Sequence, residues 1–167
     1  MQKVLDNEFV TITVHPDKKI VHHQFHKFIF GDAFRSAMIS AADAFGKNHC
    51  TKWLSDDRGN SAVKSEDLAW AKQNWEPRVF KAGWKHWAIV LPEKVVGQMS
   101  MKEIIASYTA LGLNVKTFTD PQMAMSWLEK QKTTTKKPSP SGVITSCPEG
   151  GTIFKSSFFF NNNNFNN

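Results

Sequence analysis

The chain has 167 residues, 41% of them apolar, with a formal net charge of +6. This is long enough for one hydrophobic core and too short for two ordinary domains. No apolar run approaches the ~18 residues of a membrane-spanning helix, and the lysines and arginines are interspersed with carboxylates, which argues for a solvated surface over a nucleic-acid footprint.

Cys50 and Cys147 are the only cysteines, so a disulfide scaffold is not expected, and neither has neighbours that would complete a metal site. Met1 to Phe9 lacks the apolar stretch of a signal peptide, and the expected location is the cytoplasm. Phe9 to Val14 alternates in the manner of a strand, and His15-Pro16-Asp17-Lys18-Lys19 is a turn signal. Ile20 to Phe30 predicts a second strand, antiparallel to the first, ended by Gly31. Asp32 is placed to cap a helix whose Phe34, Met38, Ala41 and Phe45 recur on one face.

Thr51 to Ser55 predicts a strand that runs into the dense cluster Asp56-Asp57-Arg58-Gly59-Asn60. Ser65 is placed to cap the next helix, with Leu68, Ala71, Trp75 and Val79 as its buried stripe. Pro77 predicts a kink or a fresh start, because it lacks a donor and clashes with the preceding turn. Trp87 to Leu91 is a continuous apolar run, the mark of a strand covered on both faces. Ser100 to Glu103 fits a capping box before Ile104, Ile105, Tyr108 and Leu111, and Gly112 fits the helix end. Val115 to Phe118 predicts a short strand. Asp120-Pro121 then starts a helix with Met123, Ala124, Trp127 and Leu128 turned inward.

The resulting order, β-β-α-β-α-β-α-β-α, predicts an α/β domain over residues 1–131. Its mixed five-stranded sheet has an N-terminal antiparallel hairpin and helical crossovers. Residues 132–167 read as a linker followed by a low-complexity tail of Phe and Asn with no periodic face.

Ligands and partners of α/β folds meet the carboxyl ends of strands, which makes Asp56, Asp57, Arg58 and Asn60 the first candidate site. Asp56 and Asp57 point to opposite faces if the strand continues, a poor arrangement for a general acid and base. Trp70 and Trp84 fit no buried stripe, and an exposed tryptophan is a common anchor of protein contacts. His22 and His26 share a strand face but stand about 13 Å apart, too far to hold one metal, and His23 faces the other way. Ser55 and Ser61 are possible nucleophiles or phosphoryl acceptors, without a G-x-S-x-G elbow around them. No G-x-G-x-x-G or Walker loop occurs, so no cofactor is expected.

Lys52-Trp53-Leu54-Ser55-Asp56-Asp57-Arg58, Trp87-Ala88-Ile89-Val90-Leu91-Pro92 and Lys94-Val95-Val96-Gly97-Gln98-Met99 resemble the bacterial SpoIIAA-like group of small STAS-type domains. The resemblance covers residues 9–130. It implies the SpoIIAA-like fold and a regulatory, non-enzymatic role. Anti-sigma factor antagonists of that fold carry a phosphorylatable serine after the central strand, which offers Ser61 here, although their Asp-Ser-Ser-Gly string is missing. Related lipid-transfer modules imply the alternative of an apolar pocket.

Two functional expectations follow. The first is an interaction module that engages an unidentified protein partner through Asp56, Asp57, Arg58, Asn60 and Trp84, as a homodimer. The second is a small-molecule or lipid-binding domain with Trp70, Trp75 and Met99 near the mouth of a pocket.

Overall fold

The computed structural model describes residues 1–60, 63–91 and 95–132, and only the backbone at 95–101 and 103. The tail beyond residue 132, Ser61 and the side chain of Met99 therefore lie outside the described residues.

Among the described residues six strands form one mixed sheet in chain order, β1 (Gln2–Asp6), β2 (Val10–His15), β3 (Ile20–Phe25), β4 (Lys52–Asp56), β5 (His86–Val90) and β6 (Asn114–Phe118). β1, β2 and β3 pair antiparallel, and β3 to β6 pair parallel. The expected hairpin and crossovers are present, and the strand count corrects from five to six. β1 escaped the sequence reading because it is an edge strand with mostly exposed residues and no apolar alternation.

The helices are α1 (Gly31–Lys47), α2 (Ser65–Trp70), α3 (Glu76–Lys81), α4 (Val95–Ala110) and α5 (Pro121–Lys130). Each parallel crossover advances one strand in the same direction. Right-handed connections therefore put α1, α2–α3 and α4 on one face of the sheet. α5 follows the last strand and returns beneath the opposite face.

Side-chain alternation divides the core accordingly. Trp53 of β4 joins Phe45, Trp75 and Tyr108 in the large cluster, whereas its neighbour Leu54 joins Ala124 and Leu128 in a small one under α5. Leu54 and Leu128 are fully buried, each contributing roughly 2 kcal/mol by removal of apolar surface from water.

Several local expectations are corrected by tertiary contacts. Asp32 is not the cap of α1, which begins at Gly31 with Phe30 before it. The Gly31 amide instead donates to Asp67 Oδ2 at 2.8 Å, and Arg35 donates to Asp67 Oδ1 at 3.0 Å. A buried carboxylate of α2 thus serves an orphan amide of α1. Ser65 is the first residue of α2 and not its side-chain cap.

Ser100 to Glu103 lies inside α4, which starts at Val95, and Leu111 is exposed past its end. Met123 is exposed too, while Ala124 and Leu128 are buried. The Asp120 cap forms as expected, with Oδ1 accepting from the amides of Gln122 and Met123.

The proline conflict is resolved between α2 and α3. Ala71–Trp75 is a π-helical turn, and Pro77 sits in the first turn of α3. A wider turn loosens the ladder just where proline supplies no donor and crowds the carbonyl four residues back.

Candidate functional site

The site grows from the end of β4. Alternation sends Trp53 and Ser55 toward the face covered by α1 to α4 and Lys52, Leu54 and Asp56 toward α5. The chain then turns, with the Asn60 amide donating to the Asp57 carbonyl at 3.0 Å. Gly59 is required there: a Cβ at this position would stand 2.2 Å from the Phe25 carbonyl oxygen. The turn is pressed directly onto the backbone at the end of β3, and only glycine fits.

Asp56 and Asp57, adjacent in sequence, are separated by this geometry. Asp56 is buried and accepts from Arg58 Nε and Nη2, both at 2.8 Å, in a two-pronged pair. Asp57 returns to the face covered by α1 to α4, where Oδ1 stands 3.1 Å from His23 Nε2. The other ring nitrogen, His23 Nδ1, accepts from Trp53 Nε1–H at 2.9 Å. An indole N–H only donates, so Nδ1 is the bare nitrogen, and Nε2 carries the proton toward Asp57. The result is a fixed chain, Trp53 to His23 to Asp57, with a directed histidine tautomer.

Beside this chain lies a cavity of about 80 Å³. That volume is room for several waters or one small molecule. Among the described residues its polar walls are His23, Ser55, Asp57 and Tyr108, and its apolar walls include Phe34, Met38, Ala71, Trp75, Trp87 and Ile104. Ser55 Oγ accepts from Trp87 Nε1–H at 2.8 Å. Tyr108 donates to Glu76 Oε1 in a short hydrogen bond. Burial, reinforced by that carboxylate, holds the Tyr108 phenol well above its ordinary pKa, so it remains a donor.

Trp75 Nε1 is buried and has no acceptor among the described residues. The surrounding aromatics form one continuous group, with centroid distances of 5.1 Å for Trp53–Trp75, 5.2 Å for Trp75–Trp84 and 4.9 Å for Trp87–Tyr108.

The structure distributes the sequence candidates unevenly. Asp57 borders the cavity, Asp56 and Arg58 pair on the other side of the sheet, and Asn60 is buried. Trp84 is not exposed: it is 4% accessible and packs between Trp75 and Trp87. Trp75 lines the cavity. Trp70 is half-buried with the Arg35 guanidinium 5.8 Å from its ring.

His22, His23 and His26 do not converge. His26 Nε2 meets Thr11 Oγ1 at 2.8 Å, and no group of His, Cys, Asp or Glu suited to a metal occurs among the described residues. The sequence reading missed His23 as the centre of the site. The available signal was its alternation with Val21 and Phe25, which puts one polar ring on an apolar face.

No protein-family model matches the chain, and neither the curated proteins nor the solved structures yielded a match. Among the described residues no helix is long and apolar enough to cross a membrane.

Proposed function

We propose that this domain is a non-enzymatic module that binds a small, largely apolar molecule in the cavity between its sheet and helices. The observation that carries the reading is the cavity itself: apolar walls, a few convergent polar groups, and a position beside the carboxyl ends of parallel strands. The Trp53–His23–Asp57 chain gives it one rigid polar edge.

Membership of the SpoIIAA-like group is part of the proposal. The mixed sheet with its hairpin and helical crossovers supports it at the level of architecture. A protein-docking role for residues 56–60 has less support, because Asp56, Asn60 and Trp84 are buried and an epitope needs accessible side chains.

The test is titration with small cyclic hydrocarbons and ketones while following indole N–H resonances and Tm. Binding should shift the Trp75 and Trp87 signals and vanish in Ala71→Leu, which fills the cavity. Unmoved resonances at every probe concentration would sink the reading. A native mass spectrum of the cell-purified protein reads co-purified ligand and the expected self-association together.

A further inference from the structure

We infer that Pro77 is a positioning residue of the cavity: it holds a π-turn that phases α3 so that Glu76 and Phe80 grip Tyr108 in the cavity wall. Only the purpose of that wall rests on the ligand-binding reading above.

Burial along α2, the π-turn and α3 recurs every four residues, at Asp67, Ala71, Trp75 and Val79, with half-buried Leu68, Glu76 and Phe80 beside them. An α-helix turns once in about 3.6 residues, so a four-residue repeat drifts by about 40° each time and by about 120° over three repeats. A straight helix would therefore carry α3 off the buried side. The π-turn takes up the difference. The Glu76 amide donates to the Ala71 carbonyl, five residues back, which inserts one residue, or about 100°, into the ladder.

The α3 residues turned inward by this rotation are the ones that meet α4. Glu76 accepts from the Tyr108 hydroxyl, and the Phe80 ring stacks on that of Tyr108 at 6.5 Å and 14°. Tyr108 is buried and borders the cavity, together with Ala71 and Trp75 of the π-turn itself. Pro77 fixes where the turn sits. In a straight helix its ring would crowd the Gln73 carbonyl, and it offers that oxygen no N–H. Alanine at this position restores the donor and lets the segment straighten. α3 then rotates Glu76 and Phe80 away from Tyr108.

Tyr108 is the only tyrosine of the chain, so tyrosinate absorbance reports it alone. Burial, and next the Glu76 hydrogen bond, hold its phenol well above the ordinary value. Three chains are titrated upward from neutral pH with circular dichroism alongside: the wild type, Pro77→Ala, and Pro77→Ala with Gln73 deleted. Gln73 is exposed, and its removal takes out the one residue that the π-turn absorbs, so a straight helix recovers the native phase. In the wild type tyrosinate should appear only as the fold is lost. In Pro77→Ala it should appear about one pH unit or more earlier with the helices intact, and the deletion should abolish that early phase. Methylcyclopentane binding, followed by indole N–H resonances, should weaken several-fold in Pro77→Ala and recover in the double variant.

No early tyrosinate in Pro77→Ala overturns the role of Pro77, and early tyrosinate in the double variant overturns the phasing. Should Pro77→Ala not fold, the double variant decides by the same readout. Wild-type affinity for methylcyclopentane in a Pro77→Ala chain with early tyrosinate overturns the link between the grip on Tyr108 and the cavity. If methylcyclopentane binds none of the three, the ligand-binding reading falls, while the tyrosine titration still judges the grip.

Discussion

The two faces of the sheet are built from alternate residues of the same strands, yet they end differently. Under α5, Leu54, Ala88, Val90, Ala124 and Leu128 close into a small cluster, and Asp56 is locked by Arg58. Beneath α1 to α4, large aromatic rings meet at steep angles and leave a cavity beside Asp57. Leu, Ala and Val fill space with little waste. Indoles and phenols fill it with plates whose N–H and O–H groups need partners, and the space between plates is where a ligand fits.

Gly59→Ala tests the frame common to both faces and should have the largest effect. The added Cβ meets backbone and not a movable side chain. A loss of about 3 kcal/mol or more is expected in urea titration. A near-neutral result would show that the turn is not pressed onto β3.

Leu128→Ala and Met38→Ala compare the faces directly. Leu128 is enclosed, so its truncation should cost about 3 kcal/mol. Met38 already borders the cavity, loses fewer contacts, and should cost about 2 kcal/mol while admitting larger cyclic probes. The opposite ranking would place the looser packing under α5.

The paired carboxylates sharpen the contrast. Asp56→Ala leaves Arg58 without its two-pronged acceptor and should cost about 2 kcal/mol, with ligand binding unchanged. Asp57→Asn keeps an acceptor for His23 and should cost under about 1 kcal/mol. Parallel stability and binding measurements separate the two, and a binding defect confined to Asp56→Ala would move the site to the other face.

The pH response should be smaller and belongs to the α5 side. Burial pushes the His22 imidazole down to about 4, with the charge of neighbouring His23 next in effect. Its Nε2 has no partner among the described residues. The unfolded chain takes up this proton near the ordinary value of 6.5, the folded one only near 4. Stability is therefore fully present above about pH 6.5 and falls between there and pH 4, with a loss on the order of 2 kcal/mol for this group by about pH 5. Burial also lowers His15 and His86, which act in the same direction. Urea midpoints at pH 7.5, 6 and 5 read the slope, and His22→Gln should flatten part of it.

The architecture was largely legible, because strands and helices announce themselves through local period and punctuation. Phe34, Met38, Ala41 and Phe45 share the buried face of α1 as their spacing requires. Asp120-Pro121 starts α5 for reasons contained in three residues. The losses came where a distant residue decides: Asp67 takes over the capping expected of Asp32, and the packed aromatics claim Trp84. The loop at 56–60 was found from its position after a strand, but its partition between two faces depends on Arg58, His23 and the close approach at Gly59. Nothing local in Asp-Asp-Arg-Gly-Asn distinguishes the inert carboxylate from the one beside the cavity.

The order of the strands also bears on how the chain assembles. Every strand pairs only with its predecessor and successor, so the sheet is laid down in the order of synthesis. No strand waits for a distant partner, and each closure spans at most one intervening helical segment. Short closures reach their pairing at small entropic cost. The β1–β3 antiparallel unit emerges from a ribosome before the cavity-lining Trp75 of the π-helical turn and Trp87 of β5. In pulse-labelled hydrogen exchange its amides should gain protection first and those of β6 last, making the binding cavity a late event built on an early scaffold.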